Sequence, residues 1–227
     1  MKYISISHFS DVLCIWAYLS EIRLTELRNN YGDKVKFDFH YFNVFGNTKK
    51  KFQTDWKDRD GNHGYATHIM SIASQFDHIS VHPDIWKKNI PVSSMPSHLF
   101  LCAVKQYLFE EGSDHFHSGQ LLENITWEIR ESFFRDLVDI SRIKELFSIA
   151  ERLDLPANRI EKNLANGMAY ALYSNDLDLA RDQNVRASPT MIFNEGRQTL
   201  MGNVGYRVID ANIRELFHTP GDQKSWC

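Results

Sequence analysis

Between Val35 and Tyr41 the chain alternates without a break, with Val35, Phe37, Phe39 and Tyr41 apolar and Lys36, Asp38 and His40 polar. A period of two sends successive side chains to opposite faces, so the run reads as a strand with one face on a core. A helical pattern precedes it. Ile15, Tyr18, Leu19 and Ile22 fall at i, i+3, i+4 and i+7, and Asn29-Asn30-Tyr31-Gly32 supplies a stop. A short strand, Tyr3 to Ser7, comes before that helix. Strand, helix and strand in this order predict a βαβ unit, because parallel strands need a crossover between them. A chain that begins this way is committed to a sheet with a helix on its face.

The other end returns to strand. Thr190 to Phe193 is short and apolar, Asn194-Glu195-Gly196-Arg197 is a turn, and Gln198 to Met201 is a second short strand. The spacing predicts a β-hairpin. Helices flank it, one from Met168 to about Asn184 and one from about Val204 to Phe217 with Ile209, Ile213 and Leu216 on one face. Between the two halves, from about Tyr65 to Gly167, the pattern is helical. Phe100, Ala103, Val104, Tyr107 and Leu108 form one stripe, and Leu122, Ile125, Ile129 and Phe133 a second. Ile143, Leu146, Phe147, Ala150 and Leu153 form a third, with Ser141 as its expected N-cap. Pro156 suits a first helical turn and Gly167 a stop. These stripes are expected to face a helical core. Residues 46–64 are polar and turn-rich, with a Lys49-Lys50-Lys51 run, and read as a solvated connecting loop.

One residue at the start of the first helix carries chemistry. Cys14 lies where the strand turns into the helix. A helix N-terminus presents unpaired N–H groups and the positive end of the macrodipole, so a thiol there is expected to have a lowered pKa and to be the nucleophile. Three residues on, where a redox dithiol places its second sulfur, stands Ala17. If the site is redox-active, it is a one-thiol site. Trp16 either walls that site or fills core. Cys102 lies on a core stripe and reads as structural, and Cys227 ends a tail, GDQKSWC.

Composition removes several classes of function. The 227 residues are 43% hydrophobic and 24% charged, ordinary for a folded domain. A net charge of −3 with no dominant basic face gives nucleic acid no footprint. No stretch reaches membrane-spanning length, and MKYISISHFSD is too polar for a secretory leader. Three widely spaced cysteines do not make a disulfide framework, so a cytoplasmic protein with reduced thiols is expected. His115 with His117, and His78 with His82, lack the further ligands that a metal would need.

With the helical middle removed, the order is β-α-β … α-β-β-α, with Ser188-Pro189 just before the third strand. This resembles the thioredoxin fold, and more closely the DsbA superfamily, in which a helical domain is inserted. Within it the chain is most similar to FrnE-like oxidoreductases, kappa-class glutathione transferases and 2-hydroxychromene-2-carboxylate isomerases. Asp11-Val12-Leu13-Cys14-Ile15-Trp16-Ala17-Tyr18 matches the Asp-x-x-Cys-Pro-Trp-Cys-Tyr pattern, with Ile15 for proline and Ala17 for the second cysteine. Val185-Arg186-Ala187-Ser188-Pro189-Thr190 matches the Gly-Val-x-Gly-Val-Pro-Thr loop, whose proline is cis. Pro96-Ser97-His98, and Phe133-Phe134 through Asp139-Ile140, stand where the insertion has its own recurrent residues.

The resemblance implies an α/β, thioredoxin-like fold with an all-α domain inserted between the βαβ and ββα halves. Residues 1–45 and 168–227 would form the thioredoxin-like part and 65–167 the insertion. It implies Cys14 as catalytic residue, and Trp16, Ser188, Pro189 and Asn203 as substrate-binding residues. Ser188 would pair its backbone with an extended thiol peptide, and the region of Gly202 and Asn203 would receive the γ-glutamyl end of glutathione. Glutathione would be the co-substrate, with no metal. The partner would be a small thiol or a thiol-containing client, with no nucleic acid and no membrane, and kappa-type relatives are often homodimers. The departures define the alternatives. Without a second cysteine the internal release step of a dithiol oxidase is missing. Glutathione-using relatives usually carry serine in place of Cys14, and an Asp-Arg pair where this chain has Asn203 and Arg207. A one-thiol oxidoreductase, a glutathione-dependent transferase or isomerase, and a non-catalytic binding module all remain open.

Overall fold

The computed structural model describes residues 3–112, 115–194 and 196–218. Strand β1 (Ile4–Ser10) runs through a turn into α1 (Ile15–Tyr31), and β2 (Val35–Tyr41) follows. The strands pair in parallel with Ile4 opposite Val35. The crossover helix predicted from periodicity is therefore present, and β1 extends three residues past the expected Ser7. After the helical segment, β3 (Thr190–Phe193) and β4 (Gln198–Met201) form the hairpin at the expected residues. Strand β3 pairs antiparallel with β1, placing Ile6 opposite Phe193, so the sheet order is β2-β1-β3-β4.

Both faces of the sheet are covered. Ile6, Phe37, Phe39 and Phe193 join one core with Leu24 of α1, Ile129 of α5 (His115–Phe134) and Ile213 of α9 (Tyr206–His218). Phe9 and Ile192 point the other way and meet Ala180 of α8 (Met168–Asp182). The helical part comprises α3 (Gly61–Ala73), α4 (Met95–Glu110), α5, α6 (Ile143–Arg152) and α7 (Ala157–Ala165), with α8 packed on both α4 and β2. No helix among the described residues is long and apolar enough to cross a membrane.

Several local expectations are corrected. Residues 46–64 are not a plain loop. They contain α2 (Thr48–Thr54), whose N-cap Asn47 accepts the Lys50 N–H at 2.9 Å, and a 3-10 turn at Lys57–Arg59. Phe52 anchors the segment by burying itself against Tyr65 and Trp86, while Lys49 and Lys50 are exposed and Lys51 lays its ammonium over the Phe45 ring. Ser141 does not cap α6. Asp139 takes both the Ser141 N–H and its hydroxyl, and the helix begins at Ile143. Ile22 and Ile143, expected in apolar stripes, are 50% and 46% exposed. Beside Ile22, Glu21 turns inward to meet Arg130 at 2.5 Å, so the buried face of α1 is partly ionic. The last helix starts at Tyr206 rather than Val204, with Gly205 accepting its first N–H bonds.

Candidate active site

The β1–α1 turn is built on Asp11. This carboxylate is fully buried, and its Oδ1 accepts the Leu13 N–H at 2.9 Å. Its Oδ2 accepts from Val44 N (2.9 Å), Phe45 N (2.8 Å) and the Ser94 hydroxyl (2.8 Å). One side chain thus ties together the β1–α1 turn, the segment after β2 and the start of α4. Such a charge is tolerated in a core only when hydrogen-bonded in this way. The Asp11 carbonyl takes the Cys14 N–H at 3.1 Å, closing the turn that delivers Cys14 to the N-cap of α1.

Cys14 sits at the helix start as expected, but its proton affinity is the reverse of the expectation. The residue is only 6% exposed. Burial pushes its pKa up, and the neighbouring Asp11 carboxylate adds to that. Hydrogen bonding to Ser188 and the N–H groups of Trp16 and Ala17 at the helix terminus pull the other way and are outweighed. A thiolate loses more by leaving water here than it gains from the helix end. At rest the sulfur is a thiol, and it donates to the Ser188 carbonyl at 3.2 Å.

Ser188 and Pro189 lie where the sequence placed them, and the peptide bond between them is cis. The Ser188 hydroxyl accepts the Asp11 N–H at 3.0 Å, so the two loops of the site are cross-tied. The Pro189 carbonyl accepts the Gly202 N–H at 2.7 Å, which brings the end of β4 alongside. A small recess here is lined by Arg23, Pro189, Met191, Leu200, Gly202 and Val204. Asn203 is exposed, and its Oδ1 accepts from Arg23 Nη1 at 2.6 Å, so its basic partner comes from α1 rather than from Arg207. Trp16 is half-buried and packs against the core. Ala17 is fully buried.

His98 is fully buried behind the turn. Its Nε2 accepts the Val12 N–H at 3.3 Å, and its Nδ1 meets the Tyr173 hydroxyl at 3.0 Å. Because Nε2 accepts, the ring proton belongs on Nδ1, and Tyr173 donates onward to Asn43. Burial holds the His98 pKa below its ordinary value, so the ring is neutral. Cys102 is buried, with its sulfur 4.0 Å from Asp176 and its pKa pushed far up by burial. Cys227 and the side chains of His115 and His117 lie outside the described residues. His78 and His82 each engage the backbone, and among the described residues no three metal-ligating side chains converge.

Two participants were invisible or incomplete in the sequence. Asp11 carried a local signal, since an Asp accepting the N–H two residues on is an Asx turn. Its bonds to residues 44, 45 and 94 are tertiary. Tyr65, assigned only to the start of the helical region, packs on Phe45, whose N–H is held by Asp11. Burial first, then the charges of Cys14 and Asp11, push its pKa well up.

The architecture is shared with solved structures of low sequence identity. A candidate protein disulfide isomerase from Nitrosomonas europaea superposes with a TM-score of 0.75 at 12% identity, covering 97% of this chain and 100% of that chain. The cytosolic disulfide reductase DsbM from Pseudomonas aeruginosa gives 0.67 at 15%, covering 93% and 99%, and has also been solved with GSH. A 2-hydroxychromene-2-carboxylate isomerase gives 0.63 at 13%, covering 94% and 96%. At such identities the likeness is one of fold. No curated protein matches in sequence. The family assignment rests on the match of residues 5–214 to the DSBA-like thioredoxin domain, which takes in the Cys14 turn, the Pro189 loop and the helical segment between them. The chain belongs to the DSBA-like thioredoxin domain family.

Proposed function

We propose that this protein is a thiol–disulfide oxidoreductase that works through one sulfur, Cys14, with glutathione as co-substrate. The observation that carries the reading is the pairing of the Cys14 sulfur with the Ser188 carbonyl at 3.2 Å, at the N-terminus of α1. That contact sets the one cysteine of the turn against a backbone edge suited to an extended thiol peptide. Ala17 supplies no second sulfur, and Cys102 is sequestered on the buried face of α4.

The chemistry is a two-step exchange. The Cys14 thiolate attacks the glutathionyl sulfur of a glutathionylated client. The client's S–S bond breaks, and its sulfur leaves as a thiolate that takes a proton from water. A second glutathione thiolate then attacks the glutathionyl sulfur on Cys14, giving oxidised glutathione and a Cys14 thiolate that is reprotonated. A thiol of raised pKa is little ionised at neutral pH, which slows the first step, and is a poor leaving group, which slows the second. The recess beside Pro189, with Arg23 at its edge, offers apolar walls and a cation to the peptide's carboxylate end. A cytoplasmic setting, where thiols are kept reduced, fits the resolving step.

The burial and protonation of Cys14 favour a competing reading as a non-catalytic binding module. Turnover of a glutathionylated peptide by wild type, Cys14→Ser and Ala17→Cys separates the two. The oxidoreductase reading expects wild-type turnover, none in Cys14→Ser, and faster adduct release with gained client-disulfide reduction in Ala17→Cys. Equal, background turnover by all three proteins overturns the oxidoreductase reading in favour of the binding module.

A further inference from the structure

The peptide unit between Asp11 and Val12 is gripped at both ends. Its carbonyl accepts the Cys14 N–H at 3.1 Å, and its N–H donates to His98 Nε2 at 3.3 Å. A peptide unit is planar, with its C=O and N–H pointing in opposite directions, so fixing one end fixes the other. His98 comes from α4, 86 residues along the chain from Val12. Through that one plane, a side chain of the helical part sets the backbone of the N-cap cysteine.

The imidazole is itself locked. A backbone N–H can only donate, so Nε2 must keep its lone pair. Asp11 Oδ1 stands 3.7 Å from Nε2, too far for a competing hydrogen bond. At the other edge of the ring, Nδ1 lies 3.0 Å from the hydroxyl of Tyr173 on α8, which donates onward to Asn43. Every hydrogen bond in this row therefore runs one way, from Val12 to Asn43. The ring also stacks on Tyr41, with centroids 5.6 Å apart and planes 21° apart. The charged groups around it are Asp11 from the turn, Asp176 from α8 and Arg130 from α5, and burial outweighs the two carboxylates in keeping the ring neutral. A residue that only filled core here would need none of these bonds.

We propose that His98 is a positioning residue for the chemistry of Cys14. Its Nε2 lone pair holds the Asp11–Val12 peptide, and that peptide holds the Cys14 backbone so that the sulfur meets the Ser188 carbonyl at the start of α1. His98 acts through the backbone and takes no proton. The assignment rests on the reading of Cys14 as the reacting sulfur.

His98→Gln can return an acceptor toward the Nε2 position, whereas His98→Leu fills the space without one. Two rates are measured at neutral pH. One is hydrogen exchange of the Cys14 amide, and the other is formation of the Cys14–glutathione adduct from oxidised glutathione, followed by peptide mass. Losing one neutral hydrogen bond is worth about fivefold in such rates. His98→Leu is expected to speed exchange and slow adduct formation by about that factor, and His98→Gln to restore both, with the amides of β2 unchanged throughout. If His98→Leu does not fold, Tyr173→Phe takes its place. It frees only the Nδ1 end and is expected to move both rates the same way by about twofold. Unchanged rates in the folded variant overturn the proposal, and so does a His98→Gln protein as impaired as His98→Leu. No adduct in the wild type sinks the proposed function instead, and the exchange rates alone then decide whether His98 sets the turn.

Discussion

Cys14 is governed by opposing local effects, and Asp11 contributes to two of them. It holds the turn together through four accepted hydrogen bonds, and its charge disfavours the thiolate three residues away. Asp11→Asn separates the two. Losing the charge lowers the Cys14 pKa, so the rate of Cys14 alkylation against pH moves to lower pH. An Asn profile that is unmoved or moves upward contradicts the account. Asp11→Ala strands the buried N–H groups of Leu13, Val44 and Phe45, and a loss of about 4 kcal/mol or more in denaturant unfolding is expected; a loss below about 1 kcal/mol would show that water replaces the carboxylate. At this scale the sequence was half legible. The position of Cys14 follows from strand-to-helix periodicity, and the Ser188-Pro189 loop from its place before β3. The Cys14 pKa does not, because burial of the sulfur is a tertiary property, as its contact with Ser188 from a distant segment shows.

At the level of elements, β2, β3 and β4 are found at the residues expected from alternation and turn chemistry. Alternation is a property of a few consecutive residues, so no tertiary knowledge was needed. Segment 46–64 was misread because α2 is short and mostly polar, and too little of it is apolar to show a period. Its start was nevertheless marked by Asn47, a preferred N-cap. Asn47→Ala should cost α2 about 1 kcal/mol locally, raising hydrogen exchange at the Lys50 amide about fivefold while leaving the sheet amides unchanged. Unchanged exchange at Lys50 would mean that packing of Phe52 alone holds the helix. The exposure of Ile22 was hidden for another reason. Its neighbour Glu21 is drawn inward by Arg130 of α5, a pairing that no pattern within α1 reveals.

Across the whole molecule, one buried group couples the fold to pH. His8 of β1 is 1% exposed, and neither ring nitrogen has a hydrogen-bond partner. Burial, then the charges of Arg130 and His40, lower its pKa to about 3. Between about 3 and the unfolded value of 6.5 the unfolded chain binds a proton that the native state does not. The contribution of His8 is thus fully present above 6.5 and is lost as pH falls. His98 acts in the same direction. For His40, burial is overcome by Asp176 and Asp38, so its pKa is raised and its contribution is instead lost as pH rises. His8→Leu should flatten the acid limb of stability by roughly 3 kcal/mol near pH 4. Parallel limbs in wild type and variant would show that His8 is charged in the fold. The central claim, that chemistry passes through one sulfur, is tested most directly by mass. The protein is incubated with oxidised glutathione, weighed intact and mapped by peptide. The account predicts one glutathione per chain, on Cys14, that persists until reduced glutathione is added. No gain in mass, or glutathione on another cysteine with Cys14 free, would contradict it.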